Sequence, residues 1–353
     1  MRTAGLGVAA AAHADVLLDL PAHHPSASGP LLLQESGELR VDLAHRGVEL
    51  LMQSRDLRQC TSLASRHAWL SGISSEVGLC EVVESMLGLV VPPRAVWLRA
   101  LWCELIRITH HLSFVGSMLA WNDPAPAGLA EREALTELLR EVTGVRVHHS
   151  ASCVGGVSFD VTDSWATRLV SDLPGTGQLR DALDPRWRGL GVLTAQEAHA
   201  WCVSGPVARA SGVREDLRAQ AAAAPYDKVT VPVVSRTDGD VLARMEVLLD
   251  EIDVSVELCR QLVAGLPAGD VRVRTPKTLR APEGTGYAAT EAPGGVNGWW
   301  LVSRGGPTPW RLVLATAGWG SAQALPSVLR GCAPQDVGLI VGSMLLISGD
   351  LAR

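Results

Sequence analysis

Hydrophobic positions recur at three- and four-residue steps over most of the chain, the signature of helices with one buried face. Residues 45–63 follow this pattern, and residues 74–89 repeat it with Ser75 near the start and Gly88 near the end. Pro92-Pro93 then opens a long helix running to about Trp121. Proline is tolerated there because the N–H groups of a first helical turn have no partner within the helix. Residues 129–143 predict a helix ended by Gly144, and residues 161–173 and 194–203 predict shorter ones. Residues 238–266 predict a long amphipathic helix, with Val241, Met245, Leu248, Leu249, Ile252 and Val256 on one stripe.

The two ends read differently. Residues 15–20 are short and apolar and predict a strand, followed by a loop in which Pro21, Pro25 and Pro30 work against regular structure. Residues 31–34 and 38–42 predict a hairpin around Ser36-Gly37. Beyond Pro276, residues 286–291, 299–303 and 311–315 predict three antiparallel strands, and 323–329 and 334–348 predict closing helices. Gly155-Gly156 and Gly294-Gly295 read as turns. The fold class is therefore α+β and predominantly helical. A central helical bundle at 45–275 stands between a β-containing N-terminal lobe at 1–44 and an α+β C-terminal lobe at 276–353.

Composition narrows the possible functions. With 47% hydrophobic and 19% charged residues the chain can bury a large core. The net charge of −6 and the absence of a basic block make nucleic acid a poor partner. The seven cysteines are scattered and never form C-x-x-C, which points to free thiols and away from a zinc ribbon or a cluster held by this chain alone. The longest apolar run, 337–347, is well short of the roughly 20 residues that span a bilayer. Arg2, an Ala/Gly stretch and Ala12-His13-Ala14 resemble a signal peptide only weakly; the expectation is an irregular start before the first strand. Eleven Trp against two Tyr and two Phe, with Lys228 and Lys277 the only lysines, reads as codon bias.

The polar candidates are few. Three adjacent histidine pairs occur: His23-His24, His110-His111 and His148-His149. Neighbouring side chains leave a helix or strand in different directions, so these pairs are not expected to grip a metal. Glu104, Arg107 and His111 share one face of the long helix and interrupt the apolar run from Val96 to Leu112. That face is either a solvated stripe with an intrahelical ion pair or a polar channel within the bundle. No P-loop, dinucleotide fingerprint or nucleophile elbow is present, so the chain gives no sign of binding nucleotide itself.

Several strings, taken in order, are more specific. They are His24-Pro25-Ser26 with Gly29, His45-Arg46-Gly47-Val48-Glu49, Val83-Glu84-Ser85-Met86-Leu87-Gly88 and Pro92-Pro93-Arg94-Ala95. Next come Glu104-Leu105-Ile106-Arg107 with His111, Gly144-Val145-Arg146-Val147-His148-His149, and Gly155-Gly156-Val157. Ser204-Gly205-Pro206 with Arg209, Asp216-Leu217-Arg218, Tyr226-Asp227, Glu291-Ala292-Pro293 and Gly349-Asp350 complete the set. The ordered set resembles the 49 kDa (D-type) subunit family of the NADH:quinone oxidoreductases of respiratory complex I, and looks like a divergent second copy.

The resemblance implies a fold related to the large subunit of nickel–iron hydrogenases without its metal. It implies a peripheral subunit on the cytoplasmic side of the cell membrane, assembled with other complex I subunits and the membrane arm of a proton translocase. NADH, FMN and the iron–sulfur clusters would sit on partner subunits, and quinone would be the substrate met at this chain. By matching position, His24, Ser28 and Trp69 would line the quinone pocket, Arg46 and His148 would lie near the terminal cluster, and Glu104, Arg107 and His111 would form the polar channel.

The pattern is also broken at chemically important places. Ser28 stands where the family has a second histidine, and Trp69 where it has a tyrosine. Aspartates expected after the central helix and before the C-terminal Ile347-Ser348-Gly349 fall at Trp121, with Asp123 nearby, and at Leu345. An arginine expected before Gly155-Gly156 falls near Cys153, and Trp300, Trp310 and Trp319 occupy places where the family prefers Tyr or Phe. Two readings follow: a working quinone-module subunit with a relaxed pocket, or a paralogue that keeps the fold for a structural or assembly role.

Overall fold

A computed structural model describes residues 16–351 apart from 19, 30, 41–44, 68, 122–127 and 222–224. The signal-like stretch at 1–14, the strand start at Asp15, the hairpin end at Asp42 and Asp123 lie outside the described residues. Near the N-terminus β1 (Val16–Leu17), β2 (Leu32–Leu33) and β3 (Leu39–Arg40) form an antiparallel sheet, with Leu33 opposite Leu39. The proline-rich loop between β1 and β2 is not wholly irregular, because Pro25–Ser28 closes as a 3-10 turn. His24 caps that turn, its Nδ1 accepting the Ser26 N–H at 3.2 Å.

The helical segment expected at 45–63 is two helices, α1 (Val48–Gln53) and α2 (Leu57–His67). Asp56 causes the break: its Oδ1 accepts the N–H groups of Arg58 and Gln59, both at 2.9 Å, and so starts a new helix. α3 (Gly72–Leu87) ends at Gly88, whose φ of +62° suits a residue without Cβ. α4 (Pro93–Leu119) is about 40 Å long at 1.5 Å per residue. It is buried all round from Leu98 to Ser117, so it is the axis of the molecule. α5 (Leu129–Thr143) ends at Gly144 as the sequence indicates.

A two-stranded hairpin, β4 (Ser152–Cys153) and β5 (Gly156–Val157), follows. Then come α6 (Asp163–Asp172), α7 (Gly177–Asp181), α8 (Ala195–Ala200), α9 (Gly205–Ala210) and α10 (Leu217–Gln220). α11 (Val241–Ala264), capped by Asp240 accepting the Ala243 N–H, packs lengthwise against α4. The C-terminal sheet is β6 (Gly284–Ala292), β7 (Gly295–Ser303) and β8 (Arg311–Ala315), antiparallel in that order. Its period of two is visible in β7, where Trp299 and Leu301 are buried and Trp300 is half exposed.

The closing helices differ from expectation. α12 (Ala317–Gln323) and α13 (Leu325–Val328) replace one helix at 323–329, and α14 (Val337–Ser343) and α15 (Ser348–Leu351) replace 334–348. Gly320 explains the first difference: a Cβ there would stand 2.5 Å from the Cys202 carbonyl oxygen, so this low-propensity segment is set by close packing. Leu345 explains the second, because its φ of +57° lies in the left-handed region and breaks the run. One apolar core surrounds α4 and α11 and draws in residues from Leu18 to Leu351. A second lies between the C-terminal sheet and α1–α3.

Candidate functional site

The 3-10 turn, the C-terminal end of α2 and α15 converge on one corner of the molecule. Close approach makes this possible. A Cβ on Gly349 would lie 1.9 Å from the His67 carbonyl oxygen, and one on Gly29 would lie 2.4 Å from Ser348 Oγ. Ser28 Oγ is 3.3 Å from Ser348 Oγ. Arg46 donates to the carbonyls of Arg66 at 3.3 Å, His67 at 3.2 Å and Gly349 at 3.1 Å. His148 Nδ1 donates to the Ser65 carbonyl at 3.0 Å, with its backbone held at φ +58°. Arg46 and His148, separated by a hundred residues, are thus brought together on the end of α2. There a cation and a donor complement the helix's unpaired carbonyls and its partial negative charge.

His24 is buried. Its Nδ1 accepts the Ser26 N–H, so the ring proton sits on Nε2, which has no hydrogen-bond partner. The ring lies edge-on to Phe114 at 5.5 Å and to Trp121 at 5.7 Å, and Nε2 faces Gly342. Burial, aided by neighbouring His23, pushes its pKa down to about 3. His24 is therefore a neutral hydrogen-bond donor and not a store of positive charge. Trp69 is half-buried against the main core and makes no hydrogen bond to His24 or Ser28.

Sequence reading missed one feature of this corner. His67 Nδ1 donates to Asp350 at 3.2 Å, and Nε2 accepts from Ser75 Oγ at 2.8 Å, which in turn accepts from Asn297 at 3.2 Å. The order Asp–His–Ser mimics a hydrolytic triad, but Ser75 is fully buried and no substrate reaches it. The relay instead ties α2, α3, α15 and β7 together. The Gly349-Asp350 string was its only sequence signal.

The polar face of α4 lies in the middle of the molecule. Glu104, Arg107 and His111 are all fully buried, which removes the solvated-stripe reading. Glu104 accepts from Tyr226 at 2.7 Å, Arg218 at 2.8 Å and Ser255 at 2.7 Å, with Arg107 Nε at 3.5 Å. Arg107 donates to the carbonyls of Glu291 at 2.6 Å and Ala292 at 3.2 Å. Glu251 on α11 takes Arg209 at 2.7 Å and His111 Nε2 at 3.1 Å. Arg209 also reaches Glu291 at 2.9 Å, and Arg218 pairs with Asp216 at 2.7 Å.

The protonation states in this network follow from its geometry. A carboxylate accepts, so His111 Nε2 carries a proton and its Nδ1 is a lone pair. That lone pair meets His110 Nδ1 at 3.1 Å, which must then be the donor. Adjacent histidines leave the helix about 100° apart, yet here the two rings are long enough to meet. Burial keeps both imidazoles neutral, while guanidinium neighbours pull Glu104, Glu251 and Asp216 below the usual carboxylate range despite burial. Four carboxylates (Glu104, Asp216, Glu251, Glu291) face three guanidiniums (Arg107, Arg209, Arg218), leaving one net negative charge. Among the described residues no three His, Cys, Asp or Glu side chains gather as a metal site would require. None of the described helices is long and apolar enough to cross a membrane.

The family described as "Respiratory-chain NADH dehydrogenase, 49 Kd subunit" matches residues 123–281 and 273–353. The chain is 42% identical to the D 2 subunit of the NADH-quinone oxidoreductase of Salinispora tropica, over 96% of this chain and 93% of the relative. It is 41% identical to the D 1 subunit of the Streptomyces coelicolor enzyme, over 99% and 98%. Identity to the D-type subunit of the Geobacillus thermodenitrificans enzyme is 31%, over 96% and 98%.

Proposed function

The chain belongs to the 49 kDa subunit family of the respiratory-chain NADH dehydrogenases, and from that premise we propose that it forms one wall of a quinone pocket. It works as a peripheral subunit at the cytoplasmic side of the membrane, beside a partner that carries the terminal iron–sulfur cluster. NADH and flavin are handled by other subunits, and the long helices around α4 are what a fold related to the large subunit of nickel–iron hydrogenases would supply.

The observation that carries this reading is the corner itself. His24 holds a buried N–H with no protein acceptor, and the Ser28 hydroxyl stands on the same turn. A quinone carbonyl oxygen is the acceptor such donors lack. Trp121 is half-buried over His24, and turning its indole would uncover Nε2–H. At the end of α2, Arg46 and His148 present a cation and an imidazole where reduction of a neighbouring cluster would add negative charge.

Reducing a quinone to the quinol takes two electrons and two protons. His24 is neutral and a serine hydroxyl is a poor acid, so neither delivers those protons here. These side chains orient the head group, and the protons reach it from elsewhere in the assembly. Tagged full-length chain recovered from its host's membranes is expected to bring down a cluster-bearing subunit. It is also expected to support NADH:quinone reduction in a strain lacking its usual 49 kDa subunit, with loss in His24→Ala. Recovery without any cluster-bearing partner would favour the assembly role instead.

A further inference from the structure

Toward the quinone corner, the buried network meets an aromatic ring. His110 lies against Phe114 at 4.9 Å, and Phe114 lies against His24 at 5.5 Å. A phenyl ring carries no exchangeable proton and closes that end. The opposite side is different. Beside the N-terminal half of α4 lies a cleft of about 370 Å³. Arg218, Tyr226 and Glu291, all members of the network, form part of its wall. Tyr226 and Arg218 both hold Glu104 directly, so the cleft's inner wall is the network's outer face.

Glu81 stands at the rim of this cleft on α3, open to solvent. One turn on, Glu84 is fully engaged by Arg99 at 2.6 and 2.8 Å and by the Gly155 N–H at 2.6 Å. Arg99 is thereby neutralised, and among the described residues Glu81 has no hydrogen-bond or ion-pair partner. We propose that this cleft is the solvent mouth of the network, and that Glu81 passes protons between bulk water and the Tyr226–Glu104 end.

Charge and space both support this assignment. The network carries one uncompensated negative charge in a buried setting, which is unfavourable, and waters in the adjoining cleft would give it polar partners. A water occupies about 30 Å³ in the liquid, so the cleft has room for on the order of ten, and its wall offers them polar partners. The groups facing Glu81 are Glu84 on its own helix, Arg99 and the Cys103 thiol on α4, and Arg218, Tyr226 and Glu291 across the cleft. A neighbouring cleft of about 240 Å³ also touches the network at Asp216 and Glu291, with Glu215 on its wall. Asp216 there is tied to the Arg218 guanidinium by two hydrogen bonds and to its backbone N–H by a third, and no tyrosine is among the residues lining that cleft.

The inference extends the proposed quinone-side role to the proton side, but its test reads the chain alone, so the two fail separately. In full-length chain with labelled arginine, hydrogen–deuterium exchange at Arg218 Nε is followed by NMR between pH 6 and 8. Backbone amides of α10 report local opening. Glu81→Gln, an isosteric change at an exposed position, is expected to slow exchange tenfold or more across that range. Ala100→Leu, which fills the cleft, is expected to slow it similarly, and Glu215→Gln to leave it unchanged. Unaltered exchange in Glu81→Gln would overturn the proposal, as would slowing by Glu215→Gln in its place.

Discussion

Acid should destabilise this protein through His24 in a way that can be isolated. His24 is only 2% exposed, and its pKa falls from 6.5 to about 3 on folding. Between those values the unfolded chain binds a proton that the folded chain refuses. Stability therefore rises with pH across the window. The His24 contribution is complete above pH 6.5 and is lost as pH falls toward 3. A displacement of this size corresponds to about 5 kcal/mol at most, against a typical total of about 5–15 kcal/mol. Between pH 6 and 4 the His24 share is about 2.5 kcal/mol. His149, also pushed down by burial to about 4, and the carboxylates add their own slopes, so a control is needed. Urea unfolding of wild type and His24→Leu at pH 7.5, 6, 5 and 4 supplies it. The wild type should lose about 2.5 kcal/mol more than the variant over pH 6 to 4. Equal losses in both proteins would refute the claim that His24 is buried and neutral.

The close contacts and the charge count make further predictions. Gly349→Ala places a Cβ 1.9 Å from the His67 carbonyl oxygen, so it should lower stability by about 3 kcal/mol or more in thermal melts, releasing Arg46's grip on α2. A full-stability Gly349→Ala would mean that the corner is looser than described. Because the network carries one excess negative charge, Glu291→Gln should be the mild change, at under about 2 kcal/mol. Arg209→Met, which leaves two excess charges buried, should cost about 3–5 kcal/mol; the reverse order in urea titrations would contradict the charge assignment. Tyr226→Phe removes one hydrogen bond to the Glu104 carboxylate and should cost about 1.5–3 kcal/mol by the same assay.

The parts legible in the sequence were those decided locally. Pro93 and Gly144 marked helix ends because each residue acts through its own backbone. The shared face of Glu104, Arg107 and His111 followed from helical spacing. Its partners did not, because Arg209, Asp216, Arg218, Tyr226, Glu251 and Glu291 come from α9, α10 and its N-cap, α11, β6 and the loop after α10. Most of them sat in the strings that carried the family resemblance, but spacing in the chain cannot show that distant residues meet. Short helices such as α9 and α10 were missed because packing against α11 and β6 forms them, not an amphipathic period of their own. The break at Asp56 was missed because a cap inside an apolar pattern leaves the pattern intact.

The structure also moves the weight among the departures from the family pattern. In the sequence, the doubt rests mainly on Ser28 and Leu345, and Trp121 is a further position where an expected aspartate is missing. In the fold Trp121 packs edge-on against the ring of His24, at the position where the pattern calls for an aspartate. A carboxylate there would favour the imidazolium, whereas an indole removes solvent and offers no charge. The missing aspartate and the neutral His24 thus point the same way. Leu345 is a milder case. Its left-handed backbone suits aspartate or asparagine, and leucine holds it at about 1–2 kcal/mol of strain set against its burial. Trp121→Asp tests the point directly. The His24 pKa, followed by NMR of the imidazole, should rise from about 3 toward or above its ordinary 6.5, and the excess acid sensitivity between pH 6 and 4 should shrink. If His24 stays neutral beside that carboxylate, burial by Phe114 and Gly342 alone governs its charge, and the indole is incidental.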